Sequence, residues 1–335
     1  MKLLQYKKSW ITFIVLFLFF TWWISLAGKD YSNGRAPVWG VTFSKSQAEY
    51  LRLDWKQMYT AMLDDLGVRA VRLSAYWNAI EREKGSYDFS DLDWQIQEAA
   101  KRHARIILAV GRRLPRWPEC HEPSWVQGED DTTVTQDLFA FMTAVVERYK
   151  GVPAIVMWQV ENEYFLSVFG TCPPGTKDAL AREIDLVRAL DSRPIFVTDS
   201  GELSTWQKAA SFGDYFGTTM YRVVWSPALH YVHYDWILPP AIYRWKAALV
   251  GRPIARMIGA ELQAEPWAPH GLLALKEGEY KQSLDAEQLK KNIDFARRTG
   301  FPEHYLWGVE YWYWLKERGD ASLWNTAGAL WKPGD

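Results

Sequence analysis

Cysteine is nearly absent from this chain: Cys120 and Cys172 are the only two, so no dense disulfide framework holds the fold together. Charge of one sign is also missing, because 39 Lys and Arg face 40 Asp and Glu for a net charge of −1. That balance argues against nucleic acid, which rewards a basic face. No Gly-rich phosphate loop stands at a strand-to-helix turn, and no Gly-x-Ser-x-Gly elbow announces a serine nucleophile. His230 and His233 have loose metal-like spacing but no evident third ligand, so they read as rim or loop histidines. Neither a metal nor an organic cofactor is expected. From Arg35 onward there is no internal linker, low-complexity tract or repeat, which leaves residues 31–335 as one domain.

What is abundant is tryptophan, with 20 residues in a chain of 335. Aromatic faces stack on the apolar faces of sugar rings, but they also fill cores and membrane belts. An uncharged apolar segment, Ser9 to Gly28, follows Lys2, Lys7 and Lys8. At about 1.5 Å rise per residue it is long enough for a hydrocarbon layer of roughly 30 Å. The leading lysines favour a single transmembrane helix in residues 1–30, with everything after Lys29 on the extracytoplasmic side. Trp10, Trp22 and Trp23 near its ends fit interface anchors, although Ser25-Leu26-Ala27 also resembles a cleavage site that would make the protein secreted. Export leaves two alternatives open for Cys120 and Cys172, a disulfide or two free thiols.

The remainder repeats one order: short apolar strand, polar loop, amphipathic helical stretch. Strands are predicted at Val38–Phe43, Ala70–Leu73, Arg105–Val110, Ala154–Val160, Pro194–Thr198, Tyr215–Met220, Pro253–Ala260 and His304–Tyr311. Helices are predicted near Asp54–Leu66, Leu92–His103, Thr135–Lys150, Asp178–Leu190 and Ala286–Thr299. Eight strands interleaved with helices predict an α/β fold, a parallel (β/α)8 TIM barrel.

The most informative segment is AIVMWQVENEY, Ala154 to Tyr164. Its apolar run ends in Glu161-Asn162-Glu163, which puts carboxylates and an amide at a strand tip, where such barrels keep their chemistry. An amide that holds a sugar hydroxyl beside a carboxyl that moves a proton suits glycosidic bond cleavage. WQVENEY resembles the strand-four motif of clan A glycoside hydrolases, most similar to families 42 and 35, with cellulase- and mannanase-like features of family 5. EREKGSYDFSDLD, Glu81 to Asp93, is similar to the signature after strand two of that clan. The resemblance covers nearly the whole exported part and implies retaining hydrolysis with two glutamates.

By this resemblance Glu163 is the general acid/base and Asn162 holds the sugar 2-hydroxyl. A general acid must stay protonated near neutral pH, so it needs apolar or anionic neighbours. Glu161 is the internal competitor, because it lies on the same side of a regular strand. The nucleophile belongs at the end of strand seven, PIARMIGAELQAEPW, where Glu261 follows the apolar run directly and Glu265 is the rival. The resemblance also implies that Arg72 hydrogen-bonds the nucleophile, that Tyr221 donates to it, and that Trp312 stacks on the sugar, with Trp307 and Trp314 as rivals. The aromatic loop LPRWPECHEPSW, Leu114 to Trp125, offers Trp117 as a substrate contact or else packs as a lid. The expected function is a glycosidase, β-galactosidase-like or endo-glycanase-like, whose partner is its carbohydrate substrate. A non-catalytic carbohydrate-binding barrel at the cell surface and a transglycosylase are the alternatives.

Overall fold

The computed structural model describes residues 13, 14, 17, 21, 23, 25–276 and 278–332. Most of the apolar segment 9–28, and with it the expected anchor, lies outside the described residues. Among the described residues no helix is long and apolar enough to cross a membrane.

Among the described residues ten strands form in chain order: β1 Val38–Thr42, β2 Ala70–Ser74, β3 Arg105–Val110, β4 Ile155–Val160, β5 Ile195–Asp199, β6 Tyr215–Met220, β7 Val223–Ser226, β8 His230–His233, β9 Met257–Gln263 and β10 Glu303–Trp307. Eight of them close a parallel barrel in the ring order β1-β10-β9-β6-β5-β4-β3-β2, and β7 pairs with β8 as a separate antiparallel hairpin. Period-two alternation sorts each barrel strand into an outer face under the helices and an inner face on the barrel axis. Ala70, Ile107, Met157, Phe196, Ile258, Ala260 and Tyr305 form the apolar interior. Two residues further along their strands come Arg72, Gln159 and Thr198, all buried. The barrel thus has an apolar floor and a polar layer at the C-terminal mouth.

The expected helices form and are capped by side chains their sequences supply. Asp54, Asp130, Thr176 and Asp285 accept backbone N–H groups at the starts of Trp55–Asp64, Asp131–Tyr149, Lys177–Leu190 and Ala286–Arg298. Ser90–Lys101 completes the expected set. A helix at Pro240–Leu249, begun by a proline in its first turn, had not been expected. Between β5 and β6 only a short 3-10 turn, Ala209–Ser211, stands where an α-helix would complete the repeat.

Two strand assignments are corrected. Strand seven begins at Met257 rather than Pro253, because Ile254–Arg256 turn as a 3-10 segment, and it runs through Glu261 to Gln263. Strand eight ends at Trp307 rather than Tyr311. Gly308 there adopts φ 125°, and a Cβ on it would lie 2.5 Å from the Cβ of Glu265, so only glycine makes this turn. Val309–Lys316 then forms a helix.

Candidate active site

Glu261 reaches the barrel interior through an irregularity. β9 pairs Gly259 with Thr218 and Glu261 with Thr219 on one side, and Gly259 with His304 and Leu262 with Leu306 on the other. Both ladders therefore pass an extra residue on β9 at this point. Such a bulge re-aims the side chains after it. Ile258 and Ala260 line the interior, Leu262 packs under the helices, and Glu261 still meets Arg72, an inward residue of β2.

Arg72 is the hub. It is fully buried and donates from Nε to Gln159 Oε1 at 2.7 Å, from Nη1 to Glu261 Oε1 at 2.9 Å and from Nη2 to Asn162 Oδ1 at 2.7 Å. Tyr221 donates to the other oxygen of Glu261, Oε2, at 3.2 Å. Both carboxylate oxygens are thus held by donors, and Glu261 is only 4 % exposed. A planar guanidinium suits this task because its fork serves several acceptors in fixed directions.

Asn162 Oδ1 accepts from Arg72, from Thr198 Oγ1 at 2.9 Å and from Gln159 Nε2 at 3.2 Å. With the carbonyl side so occupied, the amide NH2 is the end left to meet a ligand hydroxyl.

Glu161 and Glu163 part company at the tip of β4. Both adopt left-handed backbone, φ 59° and φ 44°, which breaks the strand's alternation. Glu161 turns toward β3, where its carboxylate accepts the backbone N–H groups of Arg112 at 2.5 Å and Arg113 at 2.7 Å. Gly111, at φ 140°, makes room for it, since a Cβ there would overlap the carboxylate. Glu163 turns toward β5 and β6. Its N–H donates to Thr198 Oγ1 at 3.0 Å, and Thr219 Oγ1 lies 3.5 Å from its Oε1. Glu163 is 8 % exposed, and its carboxyl is pushed well above the usual range, first by burial and then by the negative charges of Glu261 and Glu119. One carboxylate gripped by a cation and one carboxyl that holds its proton more tightly than usual therefore share the mouth of the barrel.

Glu265, the rival, is held by a different cation. It pairs with Arg116 and accepts from Trp307 Nε1 at 2.9 Å. Trp312 is corrected outright. It sits on the helix Val309–Lys316, fully buried, with Nε1 donating to Ala264 O at 2.5 Å, so it has no face to offer a ligand. The tryptophan at the strand end is Trp307. In the aromatic loop, Trp125 packs edge-on against Trp77 and donates to Glu81 O at 2.9 Å, and His121 is buried, its ring pushed down to about 4 by that burial. Trp117 is 72 % exposed. His230 and His233 lie on the exposed β7–β8 hairpin. Cys120 and Cys172 form a disulfide joining the loops that follow β3 and β4.

Four participants escaped the sequence. Gln159 sits at an inward position of β4 two residues before Glu161, a parity signal that was available. Thr198, Thr219 and Arg116 carry no local signal, because each acts through a partner distant in sequence.

Comparison with known proteins matches residues 52–171 to Glycosyl hydrolase family 10, a stretch that holds Arg72, Asn162 and Glu163 but not Glu261. Beta-galactosidase Bga of Halorubrum lacusprofundi is 29% identical over 129 residues, 33% of this chain and 18% of that protein. By fold and by motif, the likeness is to the clan A glycoside hydrolases. Xylanase 10B of Thermotoga petrophila superposes with a TM-score of 0.56 at 14% identity, covering 81% of this chain and 82% of that one. GH5_18 from Streptomyces cattleya gives a TM-score of 0.58 at 14% identity, covering 82% and 70%. These structural likenesses speak for the barrel alone. The chain spans a small part of the curated relatives it matches, 18% and 26% of the first two.

Proposed function

We propose that the protein is a retaining glycosidase that cleaves O-glycosidic bonds of oligo- or polysaccharides. The observation that carries this reading is the unequal treatment of two buried carboxyls: Arg72 and Tyr221 bind both oxygens of Glu261, while no cation pairs with Glu163 among the described residues and anionic neighbours surround it. Glu261 attacks the anomeric carbon as Glu163 gives its proton to the leaving oxygen, so the C–O bond breaks and a glycosyl ester of Glu261 forms. Glu163, now ionised, takes a proton from water, which displaces Glu261 and releases the sugar with its configuration retained. Asn162 Nδ2 donates to the sugar 2-hydroxyl.

The β-galactosidases among its likenesses support a carbohydrate substrate. The Cys120–Cys172 bond supports an oxidising, extracytoplasmic setting for residues 31–335. Residues 1–30 would tether that domain to the membrane, or be cleaved to release it.

The test is a panel of 4-nitrophenyl β-galactoside, mannoside, glucoside and xyloside, followed by trapping with the matching 2-deoxy-2-fluoro sugar. The expected result is turnover of at least one glycoside and a fluoro-sugar ester on the Glu261 peptide. A label on Glu265 would reverse the choice of nucleophile, and binding without turnover would favour a non-catalytic carbohydrate barrel.

A further inference from the structure

The mouth of the barrel is not equally open all round. Arg116, on the loop after β3, is buried and holds φ 89°. Its guanidinium pairs with Glu265 beyond β9 and, from Nη2, with Glu310 Oε2 at 2.9 Å beyond β10. It also lies over the ring of Trp307, 4.0 Å from the centroid. Glu310 Oε1 accepts the N–H of Ser44, beyond β1, at 2.5 Å. The hydroxyl of Tyr76, beyond β2, lies 3.0 Å from Ser44 Oγ and donates to Pro115 O at 2.8 Å. Hydrogen bonds thus run without a break from the β3 loop past β2 and β1 to β10 and β9. In the ring order this arc is contiguous, and β10 stands diametrically opposite β4, which carries Glu163.

We infer that Arg116 and its two carboxylates close the glycone side of the site, so that the protein takes a single neutral sugar at the non-reducing end of a chain. The inference rests on the glycosidase reading above. A general acid protonates the leaving oxygen, so the aglycone lies on the Glu163 side and any further glycone sugars would extend away from β4. That direction meets the wall. A second glycone residue would have to separate Arg116 from both carboxylates and lift it off Trp307.

The wall also has something to offer the terminal sugar. Arg116 Nε and Glu265 Oε2 are buried and have no hydrogen-bond partner among the described residues. A donor and an acceptor left over in this way suit the vicinal hydroxyls of a terminal sugar ring. The cation is balanced by two carboxylates, so no excess positive charge favours an anionic sugar.

Binding separates this inference from the catalytic reading. The full chain carrying Glu163→Gln is titrated, by tryptophan fluorescence, with β-linked galacto-, manno- and xylotriose, each free and 4-O-methylated at its non-reducing end. The cap is expected to weaken binding of the preferred trisaccharide roughly tenfold or more, because it clashes with a fixed wall. Adding Arg116→Ala should remove the difference, and Glu265→Gln, which keeps the shape, should weaken the free sugar while leaving the cap penalty in place. Equal affinities for free and capped sugars, or no binding of any of the three, would overturn the inference. Catalysis is read separately from the same sugars with Glu163 intact. Binding with a cap penalty but without cleavage defeats only the glycosidase reading, and mid-chain cleavage of a longer oligosaccharide defeats only the closed wall.

Discussion

Arg72 and Glu261 meet at 2.9 Å inside the barrel, the arginine fully buried and the glutamate nearly so. The same arginine orients Gln159 and Asn162, so one side chain sets both the Glu261 carboxylate and the amide beside it. Lysine cannot reproduce a fork that serves three acceptors. Arg72→Lys is expected to lower kcat by roughly 10²–10³, the scale of losing one preorganised electrostatic contact. Arg72→Ala should also cost about 3–5 kcal/mol of stability, because it strands a buried carboxylate. Steady-state kinetics and denaturant unfolding read the two effects, and an unchanged kcat in Arg72→Lys would remove Arg72 from the mechanism.

In the proposed mechanism Glu163 sets the alkaline side of the activity profile. Burial and the neighbouring charges of Glu261 and Glu119 hold its carboxyl well above the usual range, so the proton is kept to higher pH than on an ordinary carboxyl and is lost as pH rises through the folded value. Activity should therefore fall on the alkaline side. In Glu163→Gln that limb should vanish for the step that forms the ester, measured with a 2,4-dinitrophenyl glycoside whose leaving group needs no proton. Retention of the limb would assign it to another group.

Glu161 and Glu183 form a second buried carboxyl pair, away from Glu261. Burial raises Glu161 to about 7, and it raises Glu183 well above the usual range with help from the charge of Glu161. Between the ordinary carboxyl range and those folded values the native state holds protons that the unfolded chain has released. Stability is then full at low pH and is lost as pH rises through about 7. Thermal unfolding should show a Tm that falls between pH 5 and pH 8 in the native protein and a flatter profile in Glu183→Gln. An identical slope in both would dismiss the pair as the source.

The disulfide ties the loop bearing Arg116 to the loop after Glu163, its cysteines 52 positions apart in sequence. In the chain-entropy account a closed loop of that length is worth up to about 4 kcal/mol. Cys120→Ser with Cys172→Ser should lower stability by about 2–4 kcal/mol in denaturant titration. It should also raise KM more than it lowers kcat, since the bond positions loops and not the carboxyls themselves. Equal stability of the doubly substituted and native proteins would leave the bond without a structural role.

Much of this was written along the chain. Short apolar runs placed six of the eight barrel strands within a residue or two, and the caps Asp54, Thr176 and Asp285 lie where the helix patterns begin, while the helix expected from Thr135 starts earlier, after the cap Asp130. WQVENEY pointed to Asn162 and Glu163 because residue type and strand tip are local properties. The direction of each side chain was not local. Alternation predicts that Glu161 and Glu163 share a side, and two left-handed residues send them apart. Alternation also miscounts β9, where the bulge resets the parity before Glu261. Trp312 and Trp307 are both aromatics near the end of the last strand, and the turn at Gly308 decides which one reaches the mouth. Sequence by itself determined which chemical groups are present and which strands carry them. Tertiary structure alone decided which groups meet, because bulges, left-handed turns and the reach of Arg116 across the barrel depend on neighbours far away in the chain.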